Sequence, residues 1–283
     1  MLVPGREILD AADKGGYAVG AFNVHTIEML APVLEVAEEK KSPVLLQFSY
    51  GSLTFIGAEA ISVLVTHAAR QAKVPVVIHL DHGDGFAQIM QGLRHGFTSV
   101  MIDASKLPLT ENIALTRQVV EAAHAVGVSV EAEIGRVGGT EEHVTVNEWE
   151  ASLSDPAEAE ELVAKTGIDS LAPAFGTAHG FYKGEPKLDL ERLAEVNRRV
   201  SVPLVMHGGS GVPDHMVREA IKRGVAKVNV ATELKDAWAR ALRDVLAAKP
   251  NEIDPRKLLA PAREAVKAIV RTKIDMVGSA GRA

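Results

Sequence analysis

Three histidines stand where they could share one metal ion. His82, His179 and His207 each lie at or just past the end of a short apolar run, the runs being 74–80, 169–174 and 202–206. Three neutral imidazoles with a fourth position left open form a recurrent catalytic zinc arrangement. The 283 residues include no cysteine, so thiolate chemistry, disulfides and cysteine-held metals are excluded. Any transition metal must therefore be held by histidine and carboxylate. A lone histidine at such a place is more often structural; three at comparable places argue for convergence. His79, three residues ahead of His82 in the same run, reads as a core or supporting residue. His67, His95, His124 and His215 fall in helical patterns and read as ordinary packing or surface residues.

Carboxylates and glycines accompany the histidines. Asp81 adjoins His82, a place from which it could pass a proton to or from a reacting oxygen. Asp103 and Glu133 also close apolar runs. Glu141 falls in a long segment, 135–154, where closure could bring a base into a water-poor site. His207-Gly208-Gly209-Ser210-Gly211 and Asn229-Val230-Ala231-Thr232 offer backbone amides to an anion, the second at a helix start. The run Gly176-Thr177-Ala178-His179-Gly180 has the same character.

These residues need a scaffold that gathers strand ends. Apolar runs at 17–22, 43–48, 74–80, 99–102, 129–134, 169–174, 202–206 and 227–230 read as strands. Amphipathic stretches at 27–40, 58–73, 85–95, 111–126, 156–166, 188–200 and 214–223 read as helices between them. Near-continuous apolar strands, each followed by a helix, predict a parallel sheet covered by helices. Eight such units in 283 residues predict an α/β protein of the (β/α)8, or TIM, barrel class. An open doubly wound sheet would carry a glycine-rich turn after its first strand, where this chain has Asn23-Val24-His25. No linker divides the chain, so residues 1–283 are expected to form a single domain. The stretch from Asn251, with Asp254-Pro255-Arg256, is expected to add a C-terminal helix reaching about Met276. In such a barrel the strand ends carry Asn23, Ser49, Asp81, His82, Asp103, Glu133, His179, His207 and Asn229, all at the catalytic face.

Charge narrows the partners. With 31 Lys+Arg against 37 Asp+Glu the formal charge is −6, which argues against nucleic-acid or polybasic membrane contacts. The N-terminus shows neither a basic segment nor an apolar one of the export type, so a cytoplasmic location is expected.

The motifs His79-Leu80-Asp81-His82-Gly83, Ala132-Glu133-Ile134-Gly135-Arg136, Gly176-Thr177-Ala178-His179-Gly180, His207-Gly208-Gly209-Ser210-Gly211 and Asn229-Val230-Ala231-Thr232-Glu233 resemble those of class II, metal-dependent ketose-bisphosphate aldolases. The resemblance runs over nearly the whole chain, from Asn23-Val24 to Gly278-Ser279. It implies reversible cleavage of a ketose 1,6-bisphosphate to dihydroxyacetone phosphate and glyceraldehyde 3-phosphate. Under it His82, His179 and His207 match zinc ligands, and Glu133 and Asp103 match nearby acids for a second or displaced ion. Asp81 matches the acid serving the C4 oxygen, and Glu141 the loop glutamate handling the C3 proton. Gly180, Gly208, Gly209, Ser210, Asn229, Val230, Ala231 and Thr232 match the phosphate cradle, with Asn23 and Ser49 beside it and Asn229 also among the catalytic residues. Arg256 matches an arginine reaching a neighbouring subunit's far phosphate, which implies a homodimer or homotetramer. A monovalent cation, Na+ or K+, near the cradle is common in the family.

The substrate epimer divides the signals. Ala231 stands where fructose-bisphosphate members often carry an acid, and Asn-Val-Ala-Thr-Glu-Leu-Lys is similar to the tagatose branch. Gly83 and the tail Gly278-Ser279-Ala280-Gly281-Arg282-Ala283 are closer to fructose members. The balance leans slightly to tagatose. Alternatives are an aldolase for a deoxy-ketogluconate phosphate or a non-catalytic sugar-phosphate-binding barrel. A Schiff-base aldolase needs a desolvated lysine, typically from strand six. Strand six has none, and Lys227 is expected at the opposite end of strand eight.

Overall fold

The computed structural model describes residues 1–283 apart from 142–143, 147–151 and 183, with backbone only for 140, 141 and 144–146. Eight parallel strands close into a barrel: β1 (Val19–Asn23), β2 (Val44–Ser49), β3 (Val76–Gly83), β4 (Ser99–Ile102), β5 (Ser129–Ile134), β6 (Ser170–Pro173), β7 (Leu204–Met206) and β8 (Val225–Val230). Each pairs with its sequence neighbours, and β8 closes onto β1 with Ala21 opposite Asn229. The expected (β/α)8 barrel is what forms.

Burial explains the apolar runs. One face of each strand packs under the helices, in a core including Phe22, Leu46, Phe48, Ile78, Leu80, Val130 and Val228. The other face fills the barrel interior, and its character changes along the axis. At the N-terminal end Val19, Ala21, Leu45, Val77 and Ala226 meet Ile8, Leu9 and Ala12 of the helix Gly5–Gly15, which plugs the bottom. Burying Ile8 and Leu9 contributes about 3–6 kcal/mol together. Toward the C-terminal end the interior turns polar, with Gln47, His79, Glu131 and Lys227 at most 1% exposed.

Two helices begin with an Asp-Pro pair. Asp155 accepts from the amides of Ala157 and Glu158, starting Pro156–Thr166; Asp254 accepts from Arg256, starting Pro255–Val277. Aspartate satisfies exposed helix amides, and proline suits the first helical position. The expected C-terminal helix buries Ala262, Val266, Val270 and Ile274 at four-residue spacing against helices Leu30–Lys40 and Thr232–Ala248. Gly5–Gly15 and Tyr50–Ile56 are helices that the periodicity does not announce. The first is under the barrel rather than on its flank, and the second is a short helix of 7 residues capped by Ser49.

The segment expected as a long loop is partly sheet. Gly138–Glu141 pairs antiparallel with Val144–Val146 and parallel with Ala178–His179. Gly139 lies opposite His179, with φ of 95° and so close to its backbone that a side chain there would collide with it. Among the described residues no single helix is long and apolar enough to cross a membrane.

Candidate active site

The site begins with an irregularity in β3. Pairing of β3 with β4 shifts register between Leu80 and Gly83, and His82 has φ of +50°, a conformation unusual outside glycine. Regular strands point successive side chains to opposite faces. The bulge lets two successive residues, Asp81 and His82, both be buried at the barrel mouth, at 0% and 3% exposure. Gly83 follows because a Cβ there would lie 2.9 Å from the Met101 carbonyl oxygen.

His82, His179 and His207 meet as expected. Each offers a ring nitrogen, and the three nitrogens lie within 4.8 Å of one another. His82 Nε2 is 3.1 Å from His207 Nδ1, and the ring centres of His82 and His179 are 5.1 Å apart. Asp103 and Glu133 form a second cluster with His82, also within 4.8 Å. The remaining nitrogens of two histidines face carboxylates: His82 Nδ1 is 3.4 Å from Asp103, and His207 Nε2 is 2.9 Å from Glu131. Such outer contacts fix ring orientation around a metal. Asp103 is itself held by the hydroxyl and amide of Ser105.

Burial and charge set the protonation. Burial opposes charge on His82, yet Asp81, Asp103 and Glu133 hold its pKa well above the ordinary imidazole value. Burial drives His179 and His207 well below it, reinforced by the charge of His82. Burial, with Asp103 adding to it, pushes Glu133 well above the carboxylate range. For Asp81 burial works upward, but His82, Lys227 and His207 outweigh it and the pKa is lowered.

Asp81 is positioned by neighbours from β1 and β2. Gln47 donates to Asn23 Oδ1 at 2.9 Å, and Asn23 Nδ2 donates to Asp81 Oδ2 at 3.0 Å. Asp81 Oδ1, Glu133 Oε2 and both amide atoms of Asn229 are buried with no hydrogen-bond partner among the described residues. Buried polar atoms are rarely left so, and their clustering beside the histidines points to a ligand.

A cleft lined by His179, Gly180, Gly208, Ser210, Asn229, Ala231 and Thr232 adjoins the histidines. Tyr182 ties its walls together: its hydroxyl accepts from the Ala178 amide at 2.8 Å and donates to the Gly208 carbonyl at 2.9 Å. Ser210 Oγ accepts from the amides of Ala231 and Glu233, and Glu233 accepts from the Gly211 amide and from Lys273. The Val230 side chain belongs to the outer core instead, and Gly209 packs against Val228 and Asn229. Ser49 is buried and caps Tyr50–Ile56.

A family model described as class II fructose-bisphosphate aldolase matches residues 3–282. The chain belongs to the class II fructose-bisphosphate aldolase family. It is 46% identical to the fructose-bisphosphate aldolase of Thermus caldophilus over the full length of both chains. It is 47% identical to that of Geobacillus stearothermophilus, covering all of this chain and 99% of the other. The crystal structure of the YdjI aldolase from Escherichia coli K12 superposes with a TM-score of 0.89 at 38% identity, covering all of both chains. The protein is an aldolase, a carbon–carbon lyase, of a metal-dependent family. Three imidazoles flanked by Asp103 and Glu133 fit a divalent cation.

One expected site residue, Arg256, is not gathered at this mouth, and the side chain of another, Glu141, is not described. Arg256 is 89% exposed, is ion-paired to Asp254, and lines a separate surface groove with Glu28, Leu259 and Arg263. Glu141 ends the strand Gly138–Glu141, but its side chain lies outside the described residues. Gln47, Glu131, Tyr182 and Lys227 escape the reading of strand ends. Three of them sit two residues before a recognised one, at Ser49, Glu133 and Asn229, so the two-residue period of a strand aims them inward as well. Lys227 is inside the barrel, fully buried and ion-paired to Glu131 at 2.7 Å. That engagement accounts for the ammonium without imine chemistry.

Proposed function

We propose that this aldolase cleaves fructose 1,6-bisphosphate reversibly to dihydroxyacetone phosphate and glyceraldehyde 3-phosphate, with zinc held by His82, His179 and His207. The convergence of these three ring nitrogens beside a carboxylate oxygen with no partner among the described residues, Asp81 Oδ1, carries the reading. The fructose epimer is favoured over tagatose because the relatives at 46% and 47% identity bear that name. The bound ion supplies Lewis acidity at the ketose C2 carbonyl.

The protein's own groups do the rest. Asp81, with its lowered pKa, takes the C4 hydroxyl proton as the C3–C4 bond breaks and returns it in condensation. Asn23 holds its second oxygen, so the free one is aimed at substrate. Asn229 presents a buried amide, unpartnered among the described residues, to the dihydroxyacetone-phosphate end. Gly180, Gly208, Ser210 and Thr232 line the cleft that would receive its phosphate, which offsets locally a net charge of −6. Glu141 protonates C3 of the three-carbon fragment before release. Glu133 and Asp103 offer an alternative resting place for the ion. Arg256, exposed on the surface, serves the far phosphate bound in a neighbouring copy of the chain.

The test compares kcat/KM for fructose and tagatose 1,6-bisphosphates before and after chelation. Fructose 1,6-bisphosphate cleavage should dominate, vanish with chelator and return with added zinc. Turnover undiminished in metal-stripped protein, or preference for the tagatose epimer, would contradict the reading.

A further inference from the structure

Beneath the histidines lies a charge pair to which the proposed reaction assigns no direct contact with substrate. Lys227 Nζ donates to Glu131 Oε2 at 2.7 Å and to His79 Nε2 at 3.3 Å. The other Glu131 oxygen, Oε1, lies 2.9 Å from His207 Nε2, and His79 Nδ1 lies 2.8 Å from Ser99 Oγ. Lys227, Glu131, His79 and His207 are all at most 1% exposed. A buried ion pair is poor value as a stabilising device compared with apolar packing of the same volume. Its contacts, however, fix where protons can be.

An ammonium has donors only, so Glu131 Oε2 and His79 Nε2 must accept. His79 then carries its proton on Nδ1 and donates a hydrogen bond through it to Ser99 Oγ. A carboxylate only accepts, so the His207 nitrogen facing Glu131, Nε2, must be an N–H. A neutral imidazole has one proton, which leaves Nδ1 of His207 with a bare lone pair. That nitrogen lies 3.1 Å from His82 Nε2, inside the three-histidine cluster.

We propose that the Lys227–Glu131 pair is a tautomer lock, holding His207 with Nε2 protonated so that Nδ1 is always the metal-facing lone pair. Both residues are positioning residues, since each acts through His207. Glu131 supplies the acceptor, and Lys227 decides which end of the side chain at 131 faces the histidine. The proposal rests on the reading of the histidines as a metal site.

The first measurement needs no variant. Imidazole 15N NMR of the whole, metal-free protein should show His207 as the Nε2–H tautomer; an Nδ1–H His207 overturns the proposal. The second uses Zn2+ in competition with a chromogenic chelator. In Glu131→Gln the ammonium captures the amide oxygen, turning the NH2 group toward His207 and forcing its proton onto Nδ1. Zinc affinity should fall by about 10–100-fold. In the double variant Glu131→Gln/Lys227→Met the amide can turn its oxygen back to His207. Affinity should recover to within about threefold of the native protein. Unchanged affinity in Glu131→Gln, or a double variant no better than the single one, overturns the lock. Failure of the native protein to bind Zn2+ refutes the metal reading and the lock with it; an Nδ1–H His207 in a protein that does bind Zn2+ refutes the lock alone.

Discussion

Gly208 offers a direct test of how the two loops carrying the proposed metal ligands His179 and His207 are held. It has φ of +63°, and a Cβ there would lie 2.7 Å from the carbonyl carbon of Ala178 and 3.0 Å from its nitrogen. Gly208 follows His207 and Ala178 precedes His179, so separating these backbones separates two of the three histidines. Gly208→Ala carries two costs. The left-handed backbone alone costs a non-glycine residue about 1–2 kcal/mol. Relief of the contact requires the backbones to part by roughly 0.7–1 Å, since carbon atoms pack at about 3.5 Å or more. A displacement of about 1 Å at a catalytic site costs on the order of 100-fold in rate. Gly211 in the same loop is the control. Its φ is +79°, but the nearest atom to an added Cβ is Tyr182 Cδ2 at 3.6 Å. Gly211→Ala should pay only the backbone cost, about 1–2 kcal/mol and a few degrees in Tm, with kcat/KM nearly native. Coupled-assay kcat/KM and thermal unfolding of both variants decide the matter. Equal activity losses, or a Gly208→Ala enzyme within about threefold of native kcat/KM, would refute the steric argument.

Two further outcomes are expected. Gln47→Leu removes the donor that orients Asn23, and with it the grip on Asp81 Oδ2. A buried hydrogen bond to a charged group is worth about 1.5–3 kcal/mol, so kcat should fall roughly 10–100-fold while bound metal, measured by elemental analysis, stays stoichiometric. Zinc affinity should weaken as pH falls. The raised pKa of His82 means that the metal-free site holds a proton there near neutral pH, and the entering ion must displace it. The apparent affinity therefore drops by up to about tenfold per pH unit below that pKa, and calorimetry in two buffers should detect proton release. Uptake without proton release would show that His82 is neutral before the ion arrives.

Much of this molecule is legible in its sequence because two signals are local. Apolar runs of strand length alternating with 3.6-residue periodicity carried the barrel, and the runs at 99–102 and 129–134 match β4 and β5 residue for residue. Polar residues closing those runs marked the mouth. Other features have no local signal. Gly5–Gly15 is amphipathic like any surface helix, and only its docking under the barrel shows that it plugs one end. The segment 135–154 lacks a local signal because its strand Gly138–Glu141 finds a pairing partner in Ala178–His179, 40 residues away.

The chain by itself determined the order of the eight barrel strands, the absence of thiolate ligands and the identities of the three histidines, since these follow from composition and short-range pattern. Tertiary structure alone decided how those residues work. Asp81 and His82 share one site only because of a bulge against β4. Gln47, Glu131 and Lys227 look like stray polar residues in apolar runs until barrel closure turns them onto a common interior. There water is excluded, most buried donors pair with an acceptor, and partners 76 to 148 residues apart in sequence come within hydrogen-bond distance.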